Sequence, residues 1–398
     1  MFASRFDSLP PSPFARLDAL LRGIEPGADP IVMSVGQPGH PMPAFVGDIL
    51  AANLQGFTRY PPALGTEALR AAIAAWIARR YGTGDLVDPA RHILPVCGTR
   101  EALFTIALVA VAEPKGNMRP AALMPNPFYQ TYATAAVAAG AEPVYLPATA
   151  ATGHLPDLDA VPVDVLRRTG ILYICSPANP QGSVASLAYW VRAVELAREH
   201  GFTLVADECY SELYDGLAPP GVVEAAARLG GGLANIVFVN SLSKRSNLAG
   251  LRSGFCAGDE AFISSYLKFR NIAAPQLAFP IQAVSVEAWS DEAHVETSRA
   301  LYRAKYRLAS DLLAGRFGVT DVRAGMFLWL DMSAHGGGEE AARRLWTEAG
   351  VRVVPGAYIT GPAPDGGNAG APYIRVALVH DLATTETALA RLLDLFKT

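Results

Sequence analysis

Six short apolar runs follow one another through the middle of the chain: Ile93–Cys97, Ala121–Met124, Ile171–Cys175, Phe202–Ala206, Ile236–Val239 and Gly254–Ala257. A helix-sized segment separates most of them. The runs are continuously apolar rather than alternating with polar residues, which means burial on both faces. With crossover helices between them, that is the pattern of a mostly parallel α/β sheet. After about residue 290 the pattern changes to a long charged helix (292–314), then strand-like Met326–Leu330, a helix, Val351–Val354 and Tyr373–Leu378. This reads as a smaller α+β unit. The first 40 residues are rich in Pro and Gly and show no clear sheet element, and Gly361–Pro372 reads as a surface loop.

Composition narrows the class of partner. The 398 residues carry 33 Lys+Arg against 37 Asp+Glu, a net charge of −4, and 51% are hydrophobic. Disorder is excluded, and no basic block longer than a pair exists to grip nucleic acid or an anionic membrane. The longest apolar stretch, Ala102 to Ala112, is eleven residues, where a membrane span needs about 20. The N-terminus has Asp7 where a signal peptide would place its apolar core, so a cytoplasmic protein is expected. Cys97, Cys175, Cys209 and Cys256 show no CxxC spacing and read as reduced thiols rather than a metal site or disulfides. Small molecules, and a second copy of the chain, are the expected partners.

The informative feature is where polar residues fall. Nearly every run of the sheet ends in a reactive or small polar group, and in open parallel sheets ligands bind outside the carboxyl ends of the strands. Cys97-Gly98-Thr99-Arg100 passes through a Gly turn into a helix whose first N–H groups suit an anion. Pro125 to Tyr132 is an aromatic loop in which one ring could stack on a planar ligand. Asn179, before Pro180, offers a directional side-chain amide. Asp207 closes a buried strand, where a carboxylate is costly without a cation, and Tyr210 follows three residues on. Each feature alone has an ordinary explanation as a turn, a cap or core packing.

Ser241-Leu242-Ser243-Lys244, directly after Ile236–Val239, changes the balance. A lysine at a buried strand end has its amine pKa lowered by desolvation and can form a Schiff base. Arg252, eight residues later, supplies a permanent fork for a phosphate. Arg375 lies in an apolar strand of the small unit, where an arginine is otherwise hard to explain.

Ser-x-Ser-Lys with a following Gly-x-Arg, together with Gly98-Thr99, Asn179-Pro180, Asp207…Tyr210 and the distal Arg375, resembles the class I/II pyridoxal-phosphate aminotransferases of fold type I over essentially the whole chain. Asn126–Tyr132, Asp207–Glu212 and Ser241–Asn247 most resemble the succinyldiaminopimelate aminotransferases. The resemblance implies a large domain over 45–285 with a mostly parallel sheet, a small C-terminal α+β domain over 286–398, and an N-terminal segment 1–44 joining the small domain and a substrate loop. It implies pyridoxal 5′-phosphate as cofactor, no metal, and Lys244 as its covalent anchor and proton shuttle. Asp207 would face the ring nitrogen, Tyr210 and Asn179 the phenolic oxygen, and Tyr129 would stack on the ring. Thr99, Arg100, Ser241, Ser243 and Arg252 would hold the phosphate. Arg375 would clamp the substrate carboxylate, with Gly36 letting the loop backbone approach. Tyr60 matches a residue that reaches the phosphate of a neighbouring subunit, which implies a homodimer with shared sites. His40 reads as a surface residue. The implied reaction is transamination of N-succinyl-LL-2,6-diaminopimelate with 2-oxoglutarate (EC 2.6.1.17), in the route to diaminopimelate and lysine. Another class I/II aminotransferase, acting on aspartate, aromatic or other amino acids, or a pyridoxal-phosphate C–S lyase, uses the same machinery.

Overall fold

The computed structural model describes residues 6–7, 9, 11–112, 118–319, 321–362 and 366–397. Its centre is a seven-stranded sheet in the order Ile93–Val96, Gly254–Gly258, Ile236–Ser241, Thr203–Asp207, Thr169–Cys175, Ala121–Asn126, Glu142–Pro147. Gly254–Gly258 runs antiparallel to both of its neighbours, and every other pairing is parallel. The continuous apolar runs have the expected cause. Along Ile236–Val239, Ile236 and Phe238 enter the core on one face of the sheet while Val237 and Val239 enter the core on the other.

Register aligns the strand ends. Cys175 pairs with Asp207 and Asp207 with Val239, so residues just beyond these positions emerge together along one edge. The crossover helices are bounded by local chemistry: Ser186 accepts a hydrogen bond from Tyr189 N at 3.1 Å to start Leu187–His200, and Gly201, at φ +72°, ends it.

A second core is built from the helices Ala293–Leu313 and Leu382–Leu395 over an antiparallel sheet of Val354–Pro355, Tyr373–Ala377 and Phe327–Asp331. Three sequence expectations change here. The N-terminal segment does contain a strand: Ile31–Val32 pairs in parallel with Val351–Arg352. Two residues carry no periodicity, and their partner lies more than 300 residues away. The run Val351–Val354 is consequently not one strand, since Val351–Arg352 joins that pair and Val354–Pro355 joins the strand of Arg375. Finally, the helix Phe279–Ser290 runs across the expected boundary at 285/286, and its Val284, Ala288 and Trp289 pack into the large core beside Trp76. The edge strand Glu142–Pro147, with mostly half-buried residues, escaped the sequence reading because its apolar run is only Val144–Leu146, bracketed by Pro143 and Pro147. Within the expected loop Gly361–Pro372, residues 363–365 lie outside the described residues, and Gly361 is buried, its N–H donating to Asn126 Oδ1 at 2.9 Å.

Candidate active site

A cavity of about 670 Å³ opens at the carboxyl ends of the parallel strands. Gly36, Thr99, Arg100, Tyr129, Asn179, Asp207, Tyr210, Ser241, Ser243, Lys244, Arg252 and Arg375 all line it.

One end of the cavity is a donor-rich cup. Gly98, at φ +82°, turns the chain from the strand Ile93–Val96 into the helix Thr99–Ala110, whose first N–H groups lack intrahelical acceptors. A Cβ on Gly98 would collide with the Arg252 guanidinium, so the glycine is what lets Arg252 lie against this helix start. Arg252 itself sits at φ +58°, a strained conformation for a residue with a side chain. Its guanidinium donates to the carbonyls of Ala249 (3.0 Å) and Cys97 (3.3 Å). Ser241 Oγ lies 2.9 Å from Ser243 Oγ and donates to Ser253 O at 3.0 Å. Hydroxyls, a guanidinium and a helix N-terminus together make an anion site.

At the cavity floor, Asp207 accepts from Tyr132 Oη at 2.7 Å and from Cys209 N at 3.3 Å. Burial raises its carboxyl pKa, and the bonds from Cys209 and Tyr132 oppose that rise. Burial also pushes the Tyr210 phenol well above its ordinary value, so it is protonated and able to donate at neutral pH. Lys244 Nζ points to Gly36 O. Its amine is brought down to about 8, first by burial and then by the positive fields of Arg375, Arg100 and Arg252. Gly36 is a glycine for a steric reason the sequence did not reveal: a Cβ there would meet the Phe327 ring at 2.6 Å. Above the floor, Tyr129 Oη accepts from Arg100 Nε at 2.6 Å.

Arg375 comes from the strand Tyr373–Ala377 and is 7% exposed. It donates to Ser34 O at 2.8 Å and Asn179 Oδ1 at 3.4 Å, and lies 4.5 Å from the centroid of the Phe327 ring. None of the ion pairs among the described residues includes it, and its buried Nε has no partner. Burial lowers its pKa to about 10, which leaves it cationic at neutral pH. A buried cation with an unused donor, facing a cavity, is a binding site for a carboxylate.

The family model for aminotransferase class I and II matches residues 28–392. The chain belongs to that family. Its class I/II aminotransferase fold, fold type I, is shared throughout. An aminotransferase from Neisseria meningitidis Z2491 superposes with a TM-score of 0.94 at 38% identity, covering all of both chains. A probable N-succinyldiaminopimelate aminotransferase from Thermus thermophilus gives 0.83 at 28% identity, over 97% of this chain and 100% of that one. Among curated relatives, an LL-diaminopimelate aminotransferase of Desulforudis audaxviator is 31% identical, over 98% of this chain and 96% of its own length. The 4-dedimethylamino-4-oxo-anhydrotetracycline transaminase OxyQ of Streptomyces rimosus is 34% identical, over 90% of this chain and 92% of its own.

This aminotransferase is pyridoxal-phosphate-dependent, as its family is, and the cavity fits that group. The cup suits its phosphate, the buried Asp207 its ring nitrogen, and Lys244 its carbonyl carbon. Two residues depart from this gathering. Tyr60 does not line its own chain's cavity and is 99% exposed. His40 is not a plain surface residue: it is half-buried and stacked on Tyr302 at 4.9 Å between ring centroids. The sequence reading missed Tyr132, at the end of the aromatic loop Pro125–Tyr132, because nothing local shows that its hydroxyl reaches Asp207. It also missed Phe327, Gln37, Cys209 and Phe14 on the cavity wall.

Proposed function

We propose that this aminotransferase moves the amino group of N-succinyl-LL-2,6-diaminopimelate to 2-oxoglutarate (EC 2.6.1.17), with Lys244, Asp207 and Tyr210 at the reacting centre. The carrying observation is the pairing of Lys244 with Arg375 in one cavity: an amine of lowered basicity beside a buried, unpaired guanidinium. Arg375 orients each substrate by its α-carboxylate, and Asn179, bonded to Arg375, couples that clamp to the cofactor's side of the cavity. Pyridoxal phosphate, when bound, supplies the electron sink that acidifies the substrate's α-hydrogen. Lys244 then carries that proton, for which an amine titrating near neutral pH is suited. Asp207, held by Tyr132 at 2.7 Å, would face the ring nitrogen and, as a carboxylate, keep it protonated. Tyr210 and Asn179 would donate toward the phenolic oxygen, Tyr129 would cover the ring, and the Thr99 and Arg100 backbone with Ser241, Ser243 and Arg252 would anchor the phosphate.

The Thermus neighbour's description and the curated relative's name both point to diaminopimelate chemistry. The size of the cavity and the exposed Arg100 at its wall suit a donor with a distant acidic group. In this reading, residues 45 to about 290 hold the cofactor, while 1–44 and the C-terminal part bring Gly36 and Arg375 over it. The enzyme is a cytoplasmic homodimer; the fully exposed Tyr60 suits a residue offered to a second subunit, and four free cysteines suit a reducing compartment.

A second reading is favoured by the curated relative: unmodified LL-diaminopimelate as donor. A donor panel with 2-oxoglutarate decides. The proposal expects the highest kcat/KM with N-succinyl-LL-2,6-diaminopimelate. A preference for LL-diaminopimelate establishes the second reading, and a preference for aspartate or phenylalanine refutes both. Pyruvate release from a cysteine-type donor would mark a C–S lyase.

A further inference from the structure

Lys305 is buried, 1% exposed, in the middle of the helix Ala293–Leu313, and none of the ion pairs among the described residues includes it. Lysines are almost never fully buried without a partner. Its three ammonium donors have three acceptors: Leu378 O at 2.6 Å, His380 O at 3.0 Å and His40 Nε2 at 2.7 Å. The first two carbonyls lie just past the strand that carries Arg375. The third belongs to the N-terminal loop whose Gly36 O meets Lys244 and whose Ser34 O meets Arg375.

The loop is bonded along the same strand exit at further points. Gly39 N donates to Val379 O at 2.9 Å, and a Cβ on Gly39 would sit 2.7 Å from that oxygen. Ala377 N donates to Met33 O at 2.8 Å. His40 is oriented by its stack on Tyr302, whose ring also lies 4.1 Å from Lys305 Nζ. As an ammonium, Lys305 donates to His40 Nε2 and the imidazole proton sits on Nδ1, a buried atom with no partner among the described residues; burial brings the Lys305 amine down to about 7, and as the neutral amine it accepts from Nε2–H instead, so the contact persists in either form. Burial and the neighbouring Lys305 charge push His40 down to about 4, keeping it neutral as this requires.

We propose that Lys305 and His40 form a positioning clip that fixes the Ser34–Pro41 loop against the strand of Arg375 and so sets the carboxylate clamp. Neither residue lines the cavity; both act through Ser34 and Gly36. The inference rests on the reading of Arg375 as the clamp. A clamp contact is present before and during reaction, so its loss appears in KM rather than kcat.

The test compares Lys305→Met, His40→Phe and His40→Gln as holoenzymes, with the exposed Lys268→Met as control. Phe keeps the stack on Tyr302 and removes the acceptor, whereas Gln restores an acceptor oxygen. Lys305→Met and His40→Phe should raise KM for both glutamate and 2-oxoglutarate about tenfold, as for loss of a hydrogen bond to a charged group, with kcat within about threefold. His40→Gln should return KM toward wild type. Amide exchange at Gly39 should quicken in His40→Phe and not in His40→Gln. Unchanged KM, a fall in kcat with KM constant, or Gln no better than Phe would each overturn the clip. If Lys305→Met fails to fold, the His40 pair decides alone. Arg375→Lys with unchanged KM would instead refute the clamp reading, while faster Gly39 exchange in His40→Phe would still report the clip.

Discussion

Tyr132→Phe isolates one hydrogen bond at the floor of the site. The hydroxyl donates to Asp207 Oδ2 at 2.7 Å, and the Cys209 amide, at 3.3 Å, is the longer and weaker contact. The ring stays in place after the substitution, because it stacks on Tyr173 at 4.5 Å with an interplanar angle of 9°. What is lost is a bond to a buried carboxylate, worth about 1.5–3 kcal/mol. If the ionised form of Asp207 is what the reaction uses, that range is roughly a 10- to 150-fold fall in kcat/KM. The sign of the pH effect follows from the same bond. Burial already holds the Asp207 carboxyl pKa above its ordinary value, and the Cys209 side chain, the Tyr132 hydroxyl and the Cys209 amide oppose this. Removing the hydroxyl raises it further, so the acid limb of the kcat/KM profile must move to higher pH. Tyr173→Phe is the matched control: its hydroxyl, in the same stack, donates to Leu103 O at 2.9 Å and not to Asp207. It should cost about 1 kcal/mol of stability and leave the acid limb where it was. A Tyr132→Phe enzyme with a wild-type acid limb and kcat/KM within about threefold would refute the assignment of Asp207 as a working carboxylate.

Lys244, brought down to about 8, should make the attachment of pyridoxal 5′-phosphate to apoprotein accelerate with pH and level off above about 8; a continued tenfold rise per pH unit toward 10 would mean an ordinary lysine. Borohydride trapping and peptide mapping should find the cofactor on Lys244, and finding it on Lys305 or Lys268 would contradict the site. Mixing Tyr60→Phe with Lys244→Ala subunits should generate dimers with one undamaged site and recovered activity, which analytical separation of the hybrids would measure; no recovery would place each site within one chain. Glu212 is buried between Arg80 and Arg299, with 2.6 Å to each, and ties the helix Glu67–Tyr81 to the helix Ala293–Leu313. Glu212→Gln leaves the Arg80 guanidinium without a counter-ion, while Arg299 keeps Glu296 at 2.7 Å, and should cost about 3–5 kcal/mol in denaturant unfolding, whereas a loss under about 1 kcal/mol would show that solvent and Glu296 compensate.

The large sheet and most of the residues lining the cavity were legible in the sequence, because both are written locally. A strand buried on both faces must be apolar at every position, so Ile171–Cys175 and Ile236–Val239 stood out, and whatever follows such a strand in a parallel sheet emerges at the ligand edge. Asp207, Asn179 and Lys244 were legible for that reason. Tertiary structure decided what depends on partners distant in the chain. The two-residue strand Ile31–Val32 exists only through Val351–Arg352, and Gly36 must be glycine only because Phe327 arrives from another strand. Tyr132 becomes a support for Asp207, and Lys305 a buried clip on His40, through contacts spanning 75 and 265 residues. A hydroxyl or an amine has the same local signature whether it faces water or a carboxylate, since periodicity records which residues are buried and not which polar atoms meet. That pairing is set by how the two cores pack, and there the sequence pattern falls silent.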